Sequence, residues 1–280
     1  MHELTWLHDF RMWSGSPISS SLTNCTQHAR DRSEPSQQNI IACGQLAVVH
    51  QLSDKLVRKL PLNKSFYSEQ AIQIEARIYK HLGRHKRIAR CHSYSGSYVD
   101  LRYERNGNLE SYLQEHQVTE RFRYRAAEQA VEAVIFIHRK GIIHSDLAAR
   151  QFLLDDRLNL RLSDFGGSSL DGSAALVMEN ATHFLPRDED SPNTVQSDIF
   201  ALGSTLYEIM TGQKPFEGKL DKEVQDCYKR QFFPSLDAIA DERWRRVIKG
   251  CWTYQYTTAA DILEDISVRG WLRYGRRLAC

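Results

Sequence analysis

Residues Gly141 to Gly167 read G-I-I-H-S-D-L-A-A-R-Q-F-L-L-D-D-R-L-N-L-R-L-S-D-F-G-G. The apolar couplet Ile142-Ile143 delivers His144-Ser145-Asp146. A hairpin is predicted next, with arms Phe152-Leu153-Leu154 and Leu160-Arg161-Leu162 around a polar turn at Asp155 to Asn159. Pairing Leu154 with Leu160 sets a register that brings Gln151 opposite Ser163 at the open end, with Asp164 the next residue along. An amide and a carboxylate thus lie side by side, with a second carboxylate, Asp146, just upstream. Such oxygens suit a Mg²⁺-nucleotide site, because Mg²⁺ takes few protein oxygens and shares the rest with phosphates and water. Taken singly, Asp146 and Asp164 fit equally well the ordinary work of aspartates that hold turns through their side chains.

Outward from this string, residues 39 to 60 alternate as short strands around a polar turn at Ser53-Asp54-Lys55. Residues 66 to 82 read as a helix whose apolar stripe is Ala71, Ile74, Ile78 and Leu82. Glu75 lies inside that stripe and needs a cationic partner, for which Lys59 on the preceding strand is the candidate; the alternative is a carboxylate that snorkels at the stripe edge. A second amphipathic helix runs from Phe122 to Ile137, with Gly141 as its stop. Residues 198 to 211 are apolar nearly all round, which marks a buried helix stopped by Gly212 and Pro215. Later helices are expected to end around Trp271. The order is strands plus one helix, then mostly helices, with the carboxylates where the halves meet, a preferred location for ligand sites.

The 280 residues suffice for one large domain or two lobes, and 37 basic against 35 acidic residues leave a net charge of +2. Neither a nucleic acid nor a membrane surface is implied as partner, and no apolar run is long enough to span a bilayer. Arg269, Arg273, Arg276 and Arg277 read as a solvated helix face. Six scattered cysteines without C-x-x-C spacing favour free thiols in a reducing, cytoplasmic setting. His81, His85, Cys91 and His92 fit no common zinc spacing. Residues 14 to 38 are polar and sparse in apolar side chains, so residues 1–38 are expected to be a flexible arm carrying Trp6 and Trp13.

The long string resembles the catalytic loop and metal motif of the protein kinase family, H-R-D-L-x-x-x-N and D-F-G. The resemblance extends over residues 40 to about 268 and takes in D-I-F-A-L-G from Asp198, Y-E-I-M-T-G-Q-K-P-F after it, and Gly250-Cys251-Trp252. It implies an α+β bilobal fold, with a β-rich small lobe and hinge at 39–104 and a helical lobe at 105–280. It also implies ATP and Mg²⁺ (or Mn²⁺) as cofactors and a protein as substrate. Asp146 matches the base for the acceptor hydroxyl, Asp164 the metal carboxylate, Lys59 the phosphate-gripping lysine and Glu75 its orienting glutamate. Lys55, in the polar turn, is the weaker rival of Lys59. Leu101 to Glu104, with Leu101 and Tyr103 as contacts, match the hinge that holds adenine. Gly44, Ala47 and Val49 stand in the glycine-rich loop.

Several residues depart from the family pattern. Ala42 and Ala47 replace two loop glycines, and Gln151 replaces the asparagine that binds a second metal. Ser145 replaces an arginine that reads activation-segment phosphate, so control through Ser168, Ser169, Ser173 or Thr182 is not implied. Leu185-Pro186-Arg187 stands for A-P-E, and with no arginine between Thr253 and Leu263, Arg187 is expected to pair with Asp261. The A-A-R ending at Arg150 resembles the tyrosine-kinase loop, in which that arginine helps position the acceptor. D-F-G-G-S-S and F-L-P-R resemble divergent kinase-like chains of fungi. The function implied is transfer of the ATP γ-phosphate to a serine or threonine, with tyrosine also open. Alternatives are a pseudokinase scaffold and a small-molecule phosphotransferase, the latter opposed by the D-I-F-A-L-G helix and its continuation. Nothing in the sequence sets the oligomeric state.

Overall fold

Alternating apolar residues at the start of the described region fold into three strands, β1 (Ile40–Cys43), β2 (Ala47–Gln51) and β3 (Leu56–Pro61). The computed structural model describes residues 39–188 and 190–267. The arm expected over 1–38, the four late arginines and the helix end expected near Trp271 lie outside the described residues. After β3 comes helix α1 (Phe66–Leu82), capped by the Ser65 side chain, which accepts from the Ser68 amide, and ended by Gly83. Strands β4 (Cys91–Tyr94) and β5 (Val99–Arg102) complete an antiparallel sheet of order β1-β2-β3-β5-β4. Lys59 sits on its central strand, opposite Val49 on one side and Val99 on the other.

The remainder is helical, apart from short ribbons. It comprises α2 (Leu109–Glu115), α3 (Glu120–His138), α4 (Val195–Thr211), α5 (Asp221–Lys229), α6 (Glu242–Trp252) and α7 (Ala259–Ile266). This is a bilobal kinase-type α+β fold. Strand β6 (Ile142–Ile143) pairs with β9 (Ser169–Leu170), and β7 (Phe152–Leu154) pairs with β8 (Leu160–Leu162). The second ribbon has the expected register, Leu154 opposite Leu160. Its turn is held by Asp155, whose carboxylate accepts from the amides of Arg157 (2.9 Å) and Asn159 (2.8 Å). The lobes are stitched beside it, since the Leu162 amide donates to the Arg87 carbonyl and the Ala89 amide to the Leu162 carbonyl, both at 2.8 Å.

Helix α4 is buried on nearly every face, and Gly212 closes it with a left-handed backbone at φ +81°. A side chain at Gly203 would meet the Cys251 Cβ at 2.6 Å, so a bare backbone there lets α6 approach. The Trp252 indole, fully buried on α6, donates to the Ser204 hydroxyl at 3.1 Å.

Arg187 does not reach Asp261. Its guanidinium pairs with the fully buried Glu179 carboxylate at 2.8 Å and also donates to the Asn193 side-chain oxygen. Asp261 is instead occupied at the start of α7, accepting from the amides of Thr257 (3.1 Å) and Thr258 (2.8 Å). A carboxylate eight residues away along the chain wins because the segment folds back locally. Cys91, Cys227 and Cys251 are free thiols, but Cys43 is disulfide-bonded, which corrects the expectation of free thiols throughout. His81 and His85 serve packing, His81 against the Lys140 carbonyl at 2.9 Å and His85 stacked on Phe136. Among the described residues no helix is long and apolar enough to cross a membrane.

Two outcomes follow from this packing. Gly203→Ala should lower stability by about 1–3 kcal/mol in urea titration, through overpacking between α4 and α6; an unchanged midpoint would refute the close approach. On the other sheet face, burial pushes the Asp100 carboxyl upward, but the Arg58 guanidinium (2.7 and 2.9 Å) and the Ser93 hydroxyl outweigh it and hold it below its ordinary 3.8. The folded form therefore binds that proton more weakly than the unfolded chain. The resulting stability is present above the ordinary value and drains away as pH falls through the lowered one. Arg58→Met should flatten this acid limb of a stability-versus-pH curve; an unaltered limb would show that Asp100 contributes nothing to it.

Candidate active site

Strand β3 and helix α1 bring a cation and an anion together beneath the sheet. The Lys59 ammonium lies 2.6 Å from the Glu75 carboxylate, whose side chain is wholly buried, and it also contacts the Asp164 carboxylate. Burial opposes charge on Lys59, yet Asp164 and Glu75 together outweigh that and raise its pKa. Burial acts on Glu75 in the upward direction, with Lys59 opposing it, while at Asp164 the nearby ammonium prevails over burial and lowers the pKa. Asp164 remains half exposed, at 51% of its side-chain surface, so its carboxylate faces the crevice between the lobes. Lys55 is exposed in the turn before β3, which leaves Lys59 as the lysine that faces α1.

Two backbone positions in this region adopt left-handed conformations without being glycine, Ser145 at φ +71° and Asp164 at φ +64°. Such strain persists only where the surroundings over-determine it. For Ser145 the restraint is Asp198 on α4, which is fully buried. Its carboxylate accepts from the His144 amide (2.8 Å), the Ser145 amide (3.0 Å) and, when that nitrogen carries the proton, the His138 ring (2.9 Å). Glu208, about three turns further along α4, accepts from the Ala149 amide at 2.8 Å. The loop is thus held from below on either side of Asp146 by two buried carboxylates of one helix, at residues 144–145 by Asp198 and at Ala149 by Glu208.

Phe165 links this loop to α1. It is fully buried, edge-on to Tyr79 at 5.4 Å and tilted against His144 at 5.4 Å. The backbone at Gly166 runs close to Ala71 and Glu75, where a side chain would touch both. Burial, with Glu75 nearby, raises the Tyr79 phenol pKa and keeps it neutral.

Asp146 is engaged at both oxygens. Arg150, four residues on, donates to one, and the Gln151 amide nitrogen donates to the other at 2.5 Å. Gln151, which the sequence suggests as a second metal ligand, therefore turns its nitrogen end onto Asp146. Ala47 lies in the core cluster with Val57 and Leu101, with Val49 and Tyr103 partly buried against it. The Gly44 amide donates to the Ala47 carbonyl at 2.8 Å, and a side chain at Gly44 would meet nothing nearer than that oxygen. In the hinge, the Tyr103 amide donates to the Lys55 carbonyl at 2.9 Å. Ser168 and Ser169 are buried, and the Ser168 hydroxyl donates to the His144 carbonyl at 2.9 Å.

The sequence reading gave no role to Asp198, Glu208 or Tyr79. For the first two a signal existed, since a carboxylate in a helix apolar on every face must find donors. Tyr79 lies four residues after Glu75, one helical turn along the same stripe.

Residues 51–262 match the sequence model of the family described as protein tyrosine and serine/threonine kinase. CBL-interacting protein kinase 10 of Oryza sativa subsp. japonica is 29% identical over 141 residues, 48% of this chain and 31% of that protein. Serine/threonine-protein kinase PDK1 of Cryptococcus neoformans is 30% identical over 141 residues, 45% of this chain and 11% of that protein. Serine/threonine-protein kinase A-Raf of Sus scrofa is 27% identical over 144 residues, 46% of this chain and 24% of that protein. The chain thus spans less than a third of the length of each of these relatives.

Removal of Lys59 leaves Glu75 buried without its cation, so Lys59→Met should destabilise the fold by about 3–5 kcal/mol. Adding Glu75→Met should recover most of that loss in thermal denaturation, because an apolar pair can replace a buried ion pair. Additive losses in the double variant would refute the coupling.

Proposed function

The chain belongs to the protein tyrosine and serine/threonine kinase family, and from that membership we propose that it transfers the γ-phosphate of ATP to a serine or threonine hydroxyl of a protein, with tyrosine as the alternative acceptor. The observation that carries this reading is the Lys59 ammonium held between Glu75 and Asp164. An isolated structural ion pair would not need a second, half-exposed carboxylate on the same cation.

Residues 39–104 act as the nucleotide lobe and hinge, and those from 105 onward as the acceptor lobe. The adenine would lie against Val49 and the backbone from Leu101 to Tyr103. Gly44 leaves room for phosphate at the β1–β2 turn, and Lys59 would pair with phosphate oxygens. The donor set fits Mg²⁺, because Asp164 offers a hard, exposed oxygen and the lysine beside it keeps that group ionised. Bound there, Mg²⁺ or Mn²⁺ would supply neutralisation of phosphate charge. Asp146 takes the proton of the acceptor hydroxyl as its oxygen bonds to the γ-phosphorus. The bond from that phosphorus to the bridging oxygen breaks, and ADP leaves. Arg150 orients Asp146 during this transfer. The free thiols Cys91, Cys227 and Cys251 favour a cytoplasmic working place, while the bonded Cys43 weighs against it.

A second reading is a pseudokinase scaffold, favoured by Ala42 and Ala47 in the phosphate loop. The two part in a transfer assay with ATP, Mg²⁺ or Mn²⁺ and a generic protein substrate. Asp146→Asn and Asp164→Asn should each lower turnover by about a hundredfold or more. Equal background in wild type and both variants would reject the enzyme and leave the scaffold.

A further inference from the structure

Gln151 is fixed at both ends. Its backbone carbonyl accepts from the Ser163 amide and from the Ser163 hydroxyl, each at 2.9 Å, and its own amide nitrogen donates to the Ala148 carbonyl at 3.0 Å. The residue is 5% exposed, and the far end of its side chain donates to Asp146 at 2.5 Å. The assignment of that end is chemical. An ionised carboxylate only accepts, so the amide must offer it the NH₂ group and turn its single oxygen elsewhere.

We propose that Gln151 is a positioning residue for Asp146 and that, in consequence, the site holds one divalent ion, on Asp164, where two would need the amide oxygen. The inference rests on the kinase reading above. Mg²⁺ requires near-ideal octahedral geometry at about 2.0–2.1 Å. A side chain tethered to Ser163 at its root and to Asp146 at its tip has little torsional freedom left to provide it. The extra methylene that separates glutamine from asparagine is what carries the nitrogen to Asp146. Together with Arg150 it occupies both carboxylate oxygens, so the base is aimed from two sides before any acceptor arrives.

The test counts metal. Mn²⁺ bound to the full chain with a non-hydrolysable ATP analogue, followed by electron paramagnetic resonance, should give one ion for wild type and two for Gln151→Asn. In parallel, Gln151→Met should lower kcat roughly ten- to a hundredfold while KM for ATP and the thermal midpoint stay put, as expected for a misaimed base. Two ions on wild type, or still one on Gln151→Asn, would overturn the inference and leave the kinase reading standing. An unchanged kcat in Gln151→Met would overturn the positioning role. A chain that binds neither Mn²⁺ nor the nucleotide would remove the kinase reading and this inference with it.

Discussion

One ammonium group under the sheet joins three elements that are far apart in sequence. Lys59 is fixed on the central strand, Glu75 comes from α1, and Asp164 follows the β7–β8 ribbon. Glu75 cannot stay buried without a cation, and Lys59 cannot stay charged there without anions. The pair therefore fixes how far α1 stands from the sheet. That distance decides where Tyr79 meets Phe165, and Phe165 in turn sets the path of the backbone into Asp164. The small lobe is organised from this contact outward.

The helical lobe solves a different problem, which is to keep a strained loop in one shape. Asp198 and Glu208 come from a single buried helix and accept backbone amides on either side of Asp146. Desolvated carboxylates make strong acceptors, and each would be costly to leave without donors. The left-handed turn at Ser145 is thereby held by groups that never approach a substrate. Rigidity at Asp146 comes from the helix beneath, and its aim comes from Arg150 and Gln151 alongside.

Much of this was legible in the residues. The hairpin register followed from the position of Leu154 against Leu160, and the need of Glu75 for Lys59 followed from its place in an apolar stripe. The helix at 66–82 is marked by its apolar stripe, and the one at 198–211 by being apolar nearly all round with Gly212 and Pro215 after it. What the sequence did not yield depends on distances across the fold. The Asp198 bonds join positions more than fifty residues apart. The turn of the Gln151 amide hinges on a single methylene. The pairing of Arg187 with Glu179 is invisible in the residues because the local chain reversal that joins them carries no periodic signal.

That reversal has a consequence for how the chain can vary. The Glu179–Arg187 pair is closed within nine consecutive positions and finished by Asn193. A clasp of this kind ties the stretch ahead of α4 to itself, is reached from α5 by the Tyr228 hydroxyl on the Thr182 carbonyl, and makes no demand on the helices that follow α5. Those helices are consequently released to diverge: substitutions between Thr253 and Leu263 are answerable only to their own packing, and the clasp travels intact with its own short piece of chain.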